Sequence, residues 1–365
     1  MSLDIGIIGL ELSGRTTVFR CLTRQKEGAA SGHQSEHIGT ARVPDQRVDR
    51  LRDLFKSRKA VYAEVKYVDL GASLKNAARD FNISGKLLSE LGATDALLCV
   101  VRAFRDDAVP HPGGSIDPAR DIESMEMELA FSDLAILERR LGRLSEQSKS
   151  CRPAERPSLE AESLVLNRIK VQLESGIPIR RQSLDAPELK MISSYQFLSL
   201  KPLLTVINIG EEDIGKTGDL ETSLNKRFGD SGHRIIAMAG KLEAEMALLD
   251  EESRQSFLKD FDIDEPGFWK VIRTSFDLLG LITFLTTGED ESRAWPVPAG
   301  TTAPEAAGHI HSDIERGFIR AETVAYDDLV RLGGYAGVRR EGLLRTEGKN
   351  YVVRDGDVIH FLFNV

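Results

Sequence analysis

The sequence predicts an α/β fold: a mostly parallel sheet covered by helices on both faces, interrupted by a helical hairpin and followed by a smaller mixed sheet. Three observations carry this. Apolar runs of strand length alternate with helix-spaced stretches over residues 1–118 and again over 177–279. Between them, 119–176 contains no strand-like run, and from 280 to 365 short strands with Gly turns take over.

The first element is "LDIGIIGL", a short apolar strand that enters a Gly-rich turn and then "TTVFRCLTRQ", which has helical spacing. "VYAEVKYVDL" and "DALLCVVRAF" read as buried strands, separated by polar or helical stretches such as "SGKLLSELG". In 119–176, apolar Met125, Leu129, Leu134, Leu137, Leu141 and Leu144 recur three to five apart, which makes an amphipathic helix. "CRPAERP" breaks it, and "SLEAESLVLNRIKVQLESG" resumes as a second helix, with Ser158 as its expected cap and Gly176 as its stop. Two long helices joined by a break predict an antiparallel hairpin; an ordinary pair of packing helices fits the same pattern. "KPLLTVINIG" and "HRIIAMAGKLEAEMALLD" restore the strand and helix alternation. The last segment reads as short strands at "GLITFLTTG", "SRAWPVPAG", "GFIRAETVAY" and "KNYVVRDGDVIHFLFNV", one helix at "TTAPEAAGHIH", and a tight turn at "RDGD".

Composition narrows the class. Lys plus Arg total 48 against 57 Asp plus Glu, a formal charge of -9, which argues against whole-surface attraction to nucleic acid. Cys21, Cys99 and Cys151 have no short paired spacing and leave no complete disulfide framework, so a reducing compartment is the simpler reading. "MSLDIGIIGL" lacks a basic leader and a cleavage site and is read as the first strand; no stretch approaches the apolar length of a membrane span. A cytoplasmic protein with no membrane partner is expected.

The chemistry concentrates in "GLELSGRTT", Gly9 to Thr17. Amides of a Gly-permitted turn followed by a helix N-terminus make a cavity for phosphate, and Gly9 and Gly14 have the required spacing. Leu12 and Ser13 complete the turn, Thr16 stands where a hydroxyl meets Mg²⁺, and Thr17 extends that shell or caps the helix. Arg15 occupies the position of the usual lysine; its charge is kept but its broad planar head is not equivalent. Asp69, at the end of "AEVKYVDL", is a candidate for holding the metal through water, and equally for a cap or turn with Leu70 and Gly71. Asn208 and Glu211, after the strand in "VINIGEED", stand where base-recognising residues meet a purine. Ala239, Gly240 and Lys241 supply a backbone-lined rim. His33, His37 and His111 lie in polar or Pro-containing loops with no assigned role, and His309 and His311 lack a metal-ligand set nearby.

These residues resemble the YchF/Obg-like ATPase family of P-loop proteins. "GIIGLELSGRTTVFRCLT", "VPDQRVDRLRDLF", "EVKYVDLGASLKN", "ELGATDALLCVVRAF" and "KPLLTVINIGEED" follow in the family's order. The run from "FLTTGEDESRAWPVPAG" to "GDVIHFLFNV" is specific for its TGS domain. The resemblance implies a P-loop NTPase sheet domain over 1–118 and 177–279, an inserted helical hairpin over 119–176 and a ubiquitin-like TGS domain over 280–365. It also implies ATP or GTP with Mg²⁺ as ligands, ribosome or RNA as partner, and phosphoryl transfer to water. Arg15 and Asp69 would act in catalysis, and Thr16, Thr40 and Asp69 would hold the metal. Asn208-Ile209-Gly210-Glu211 fits an NxxE version of the base-reading motif, associated with relaxed or adenine-favouring recognition. Three departures stand out: Arg15, a shortened stretch after Asp69, and a poorly kept first switch in "GHQSEHIGTARVPD". Two functions follow: a nucleotide-dependent switch or slow NTPase near the ribosome, or a non-hydrolysing RNA- or protein-binding scaffold with a degenerate nucleotide site. "RRLGRL" and "VRREGLLR" are local basic stretches compatible with the second, although solvated faces explain them as well.

Overall fold

The computed structural model of the chain describes residues 4–25, 37–70, 81–230, 232–261 and 263–364. The backbone divides into two compact units: Asp4–Gly39 with Lys66–Val271, and Thr40–Val65 with the chain from Ile272 onward.

β1 (Asp4–Gly9) leads through the glycine turn into α1 (Arg15–Thr23). β2 (His37–Arg42), α2 (Gln46–Phe55), β3 (Lys59–Val61), β4 (Glu64–Asp69), α3 (Phe81–Ala93) and β5 (Ala96–Arg102) follow. The hairpin is α4 (Pro118–Ser150) and α5 (Arg156–Glu174). A 3-10 turn over Ile179–Arg181 and α6 (Ala186–Ile192) lead back to β6 (Leu203–Asn208), α7 (Thr217–Phe228), β7 (His233–Met238), α8 (Gly240–Ala247), α9 (Glu251–Asp260) and α10 (Gly267–Leu278).

The first sheet has the order β2-β4-β1-β5-β6-β7. β1 pairs in parallel with β4 and β5, as do β5 with β6 and β6 with β7. Every residue of β5 and β6 is buried, as helices on both faces require. Because these pairings are parallel, Gly9, Asp69, Arg102, Asn208 and Met238 all arrive at the same carboxyl edge, where α/β sheets place ligands.

α4 is 33 residues long, about 50 Å. Asp117 caps it by accepting from the Arg120 N–H at 3.1 Å, and Pro118 opens its first turn. Met125 and Leu129 enter the sheet core, whereas Leu137 and Leu144 pack with Leu166, Ile169 and Leu173 of α5; Leu134 and Leu141 are half-buried beside them. α5 starts at Arg156 with Pro157 in its first turn, so Ser158 lies inside the helix and is not its cap. Proline preset for helical φ moves the start upstream. Gly176, with φ +80°, follows the Ser175 cap as the expected stop.

The second unit continues as β8 (Leu281–Thr287), β9 (Glu291–Pro298), α11 (Ala303–Ile310), α12 (Ser312–Arg316), β10 (Phe318–Ala325), α13 (Tyr326–Arg331), α14 (Tyr335–Arg340), β11 (Arg345–Glu347) and β12 (Asp357–Phe363). Its sheet, β11-β10-β12-β8-β9-β3, mixes antiparallel pairs with the parallel β12–β8 and β3–β9. Ala303, Ala306 and Ala307 of α11 pack with Phe284 and Phe361. In "RDGD", Gly356 at φ +79° lets the Asp357 N–H donate to Arg354 O at 3.1 Å. Three short helices join the one expected here, because five or six residues are too few to show a helical period. "VYAEVKYVDL" also divides: Val61 ends β3, which pairs with β9, while β4 begins at Glu64 in the first sheet. Residues 40–65, expected with the nucleotide domain, belong to the compact unit that contains β8–β12.

Cys21 and Cys99 are buried, and burial is the first cause that pushes both thiols up, Cys99 to about 12. Cys151 is half-exposed between α4 and α5. Among the described residues no helix is long and apolar enough to cross a membrane.

Candidate functional site

The turn after β1 is built for close approach of backbone. A Cβ at Gly9 would lie 2.5 Å from Val100 O and 2.9 Å from Ser13 Oγ, so only glycine fits there. Leu12 takes φ +60° with its side chain 52% exposed, a strained conformation for a branched residue. Ser13 is buried, and its hydroxyl has no hydrogen-bond partner among the described residues. Gly14, at φ +90°, is the N-cap of α1; it offers no side-chain acceptor, and the first turn holds no carboxylate. An uncapped helix N-terminus attracts anions through its free N–H groups and its dipole.

Beside it, Thr16 Oγ1 donates to Asp69 Oδ2 at 3.2 Å. Asp69 is 1% exposed, whereas Thr16 is exposed. Two protein oxygens suit an ion that keeps waters and phosphate oxygens in its shell. Arg15 is half-buried at the first position of α1, and its Cγ lies 3.2 Å from where a Gly9 Cβ would stand. The orphaned Ser13 hydroxyl, the glycine cradle and the Thr16–Asp69 pair together fit a metal-bearing polyphosphate.

A cavity of about 910 Å³ adjoins this turn. Gly14 and Thr17 line it on one side, Asn208 and Glu211 after β6 on another, and Ala239 and Lys241 on a third. Asn208 is buried and braces the site: its Nδ2 donates to Ser13 O at 3.0 Å, and its Oδ1 accepts from the Gly240 N–H at 3.0 Å. Its amide thus joins the phosphate turn to the start of α8. A Cβ at Gly240 would lie 2.6 Å from Asn208 Oδ1.

Sequence reasoning did not single out Phe104, Arg105 and Asp106, which form another wall of the same cavity. One available signal was Arg102, a charged residue closing the wholly apolar run Ala96–Val101. Thr40 stands exposed on β2 and falls in the compact unit that does not hold the turn. His33 and the stretch 71–76 lie outside the described residues. His37 packs near Phe19, with ring centroids 6.1 Å apart. His111 is ordered rather than solvent-facing: Nδ1 accepts from the Gly113 N–H at 3.0 Å, and Nε2 lies 2.9 Å from Asp121 Oδ2.

α8 also carries a buried carboxyl away from the cavity lining. Glu243 accepts from the N–H groups of Gly267 at 2.7 Å and Phe268 at 3.3 Å, bracing the start of α10. Burial pushes its pKa up to about 7, and the two backbone donors offset only part of that rise. The folded value lies above the ordinary 4.5, so the stability it contributes is full below 4.5 and is lost as pH rises through 7. The difference is about 3 kcal/mol. Glu243→Gln keeps an acceptor and removes the titration; urea unfolding from pH 4.5 to 7 is expected to show the variant gaining stability relative to the parent as pH rises, by about 3 kcal/mol across the window. An unchanged slope would remove this assignment.

The family model YchF-GTPase_C, described as a protein of unknown function (DUF933), matches residues 281–364. The "Ribosome-binding ATPase YchF" of Bacillus subtilis is 38% identical to the chain, with 100% of each covered. The protein of the same name from Escherichia coli O157:H7 is 35% identical over the same full coverage. Among solved structures, the Schizosaccharomyces pombe YchF GTPase superposes with a TM-score of 0.84 and 29% identity, covering 99% of this chain and 98% of that one.

Proposed function

The chain belongs to the YchF family, and from that premise we propose that it binds a purine nucleoside triphosphate with Mg²⁺ at the Gly9–Thr17 turn, hydrolyses it slowly, and acts in association with the ribosome. The observation that carries the reading is the Thr16–Asp69 hydrogen bond at the mouth of an uncapped helix, beside a cavity large enough for a nucleoside.

The residues divide the work as follows. Amides of the turn and of the first turn of α1 receive the phosphates, and Arg15 adds a fixed positive charge. Thr16 and Asp69 would hold the ion, which supplies charge neutralisation at the outer phosphates when bound. Asn208 keeps the turn and α8 in register, and Glu211, on the cavity wall, would read the base. The arginine in the lysine position favours slow turnover, because a guanidinium spreads its charge over a plane instead of concentrating it between two phosphates. The same feature keeps a second reading, a non-hydrolysing binding module, in view.

Calorimetric titration with ATP, GTP and nonhydrolysable analogues, with and without Mg²⁺, tests the site. Binding that strengthens with Mg²⁺, and phosphate release above a metal-only control, are the expected results. No binding at millimolar nucleotide would remove the proposal, and binding without any release would leave only the module. Co-sedimentation with ribosomes, with each nucleotide in turn, tests the association and with it the cytoplasmic setting; pelleting unaffected by nucleotide would remove the switch.

A further inference from the structure

Arg102 closes β5 and is 3% exposed, an unusual place for a guanidinium. Its donors fold the next residues back over it: Nε donates to Phe104 O at 3.2 Å, and one amino group, Nη2, donates to Asp106 O at 3.3 Å. Its central carbon sits 4.4 Å from the centroid of the Phe104 ring. The other amino group, Nη1, is buried with no hydrogen-bond partner among the described residues. An arrangement chosen for stability alone would not bury a charged group half-satisfied, because each unmet donor there carries a desolvation cost.

The segment that Arg102 shapes is functional surface. Phe104, Arg105 and Asp106 line the cavity. Arg102 pairs across the sheet with Asn208, and Phe104 Cε1 lies 3.8 Å from where a Gly14 Cβ would stand. The Phe104 ring is therefore beside the phosphate turn, at the junction where a nucleoside would leave its phosphates.

We propose that Arg102 is a positioning residue for the nucleoside half of the ligand: it holds Phe104 as a stacking face and sets the wall 104–106, while the phosphate turn works without it. This rests on the nucleotide reading above. Base stacking on an aromatic ring is sequence-tolerant, so the effect is expected with ATP and GTP alike.

The test compares Mg²⁺-ATP with Mg²⁺-tripolyphosphate, which has the phosphates and no nucleoside, by calorimetry on the full chain. Arg102→Met removes both carbonyl ties and the ring contact. Arg102→Lys keeps the charge but cannot span two carbonyls and a ring face. Both are expected to weaken ATP about tenfold or more, with tripolyphosphate within about twofold of the parent. Either folded variant binding ATP like the parent overturns the proposal. So does equal weakening of both ligands in the lysine variant with its melting temperature kept, since the arginine would then serve the whole site. Failure of the parent itself to bind ATP would strike the nucleotide reading instead.

Discussion

Gly14→Ala is expected to weaken nucleotide binding by about 100-fold or more, the largest single effect at the site. Two costs meet at this position. The backbone holds φ +90°, where a residue with a Cβ is strained by about 1–2 kcal/mol. The new Cβ would also collide with Asn208 Nδ2. Either the turn moves away from the sheet edge or Asn208 gives up Ser13 O and the Gly240 N–H, each a buried bond worth about 1–3 kcal/mol when one partner is left unmet. Both escapes disperse the amides that would face the phosphates in the proposed site. Calorimetry beside a thermal melt checks this: affinity should collapse while the melting temperature falls by only a few degrees. Binding within threefold of the parent would show that phosphate is held elsewhere.

The largest expected effect on stability lies away from that site. Arg180, in the turn Ile179–Arg181, is buried against Glu126 of α4 with its side chain 3% exposed. His233 of β7 completes the cluster: Nε2 is 2.9 Å from Thr205 Oγ1, and Nδ1 is 3.5 Å from Glu126 Oε1. Arg180→Met would take away the guanidinium buried against Glu126 and leave only the weaker help of His233 and Arg181, and breaking a buried pair from one side costs about 3–5 kcal/mol. Urea unfolding at pH 7 measures the loss; adding Glu126→Gln should recover part of it. A loss under about 1 kcal/mol would mean that water already screens the pair.

The pH dependence of the parent has a definite sign. Burial opposes the charge on Glu126, but His233 and Arg180 outweigh it and hold its pKa below the ordinary 4.5. Burial depresses His233 below 6.5. Both folded values are lowered, so this cluster stabilises above the unfolded values and weakens as pH falls through 6.5 and then 4.5. Glu243 acts in the opposite sense.

Much of the site was legible because its parts are local. Ile5, Ile7 and Ile8 announce a strand, Gly9 and Gly14 a turn that no other residue can make, and Thr16 and Thr17 the start of a helix. The contact between Thr16 and Asp69 spans 53 positions yet was foreseeable, since both close or follow strands that pair side by side. What the residues could not disclose was partner choice. Nothing local tells Lys59–Val61 to leave its neighbours and pair with Glu291–Arg293 in another sheet. Asn208, read as a residue that meets a base, lines the cavity and in addition bonds through its amide to Ser13 and Gly240; that bracing task is invisible until its surroundings are known. Phe104 reads as the end of the buried strand "DALLCVVRAF", but β5 stops at Arg102, whose bonds to the carbonyls of Phe104 and Asp106 turn the chain onto the cavity wall; side-chain-to-carbonyl ties of that kind leave no mark in an apolar run.

The distribution of sulfur has a practical consequence. Cys21 and Cys99 are enclosed and hard to ionise, whereas Cys151 sits at the bend joining two helices, one of them about 50 Å long. A maleimide dye under mild conditions therefore reacts at one natural address, far along the arm. The unaltered polypeptide arrives ready for fluorescence or spin-label work on its hairpin, with no thiol to delete and none to add.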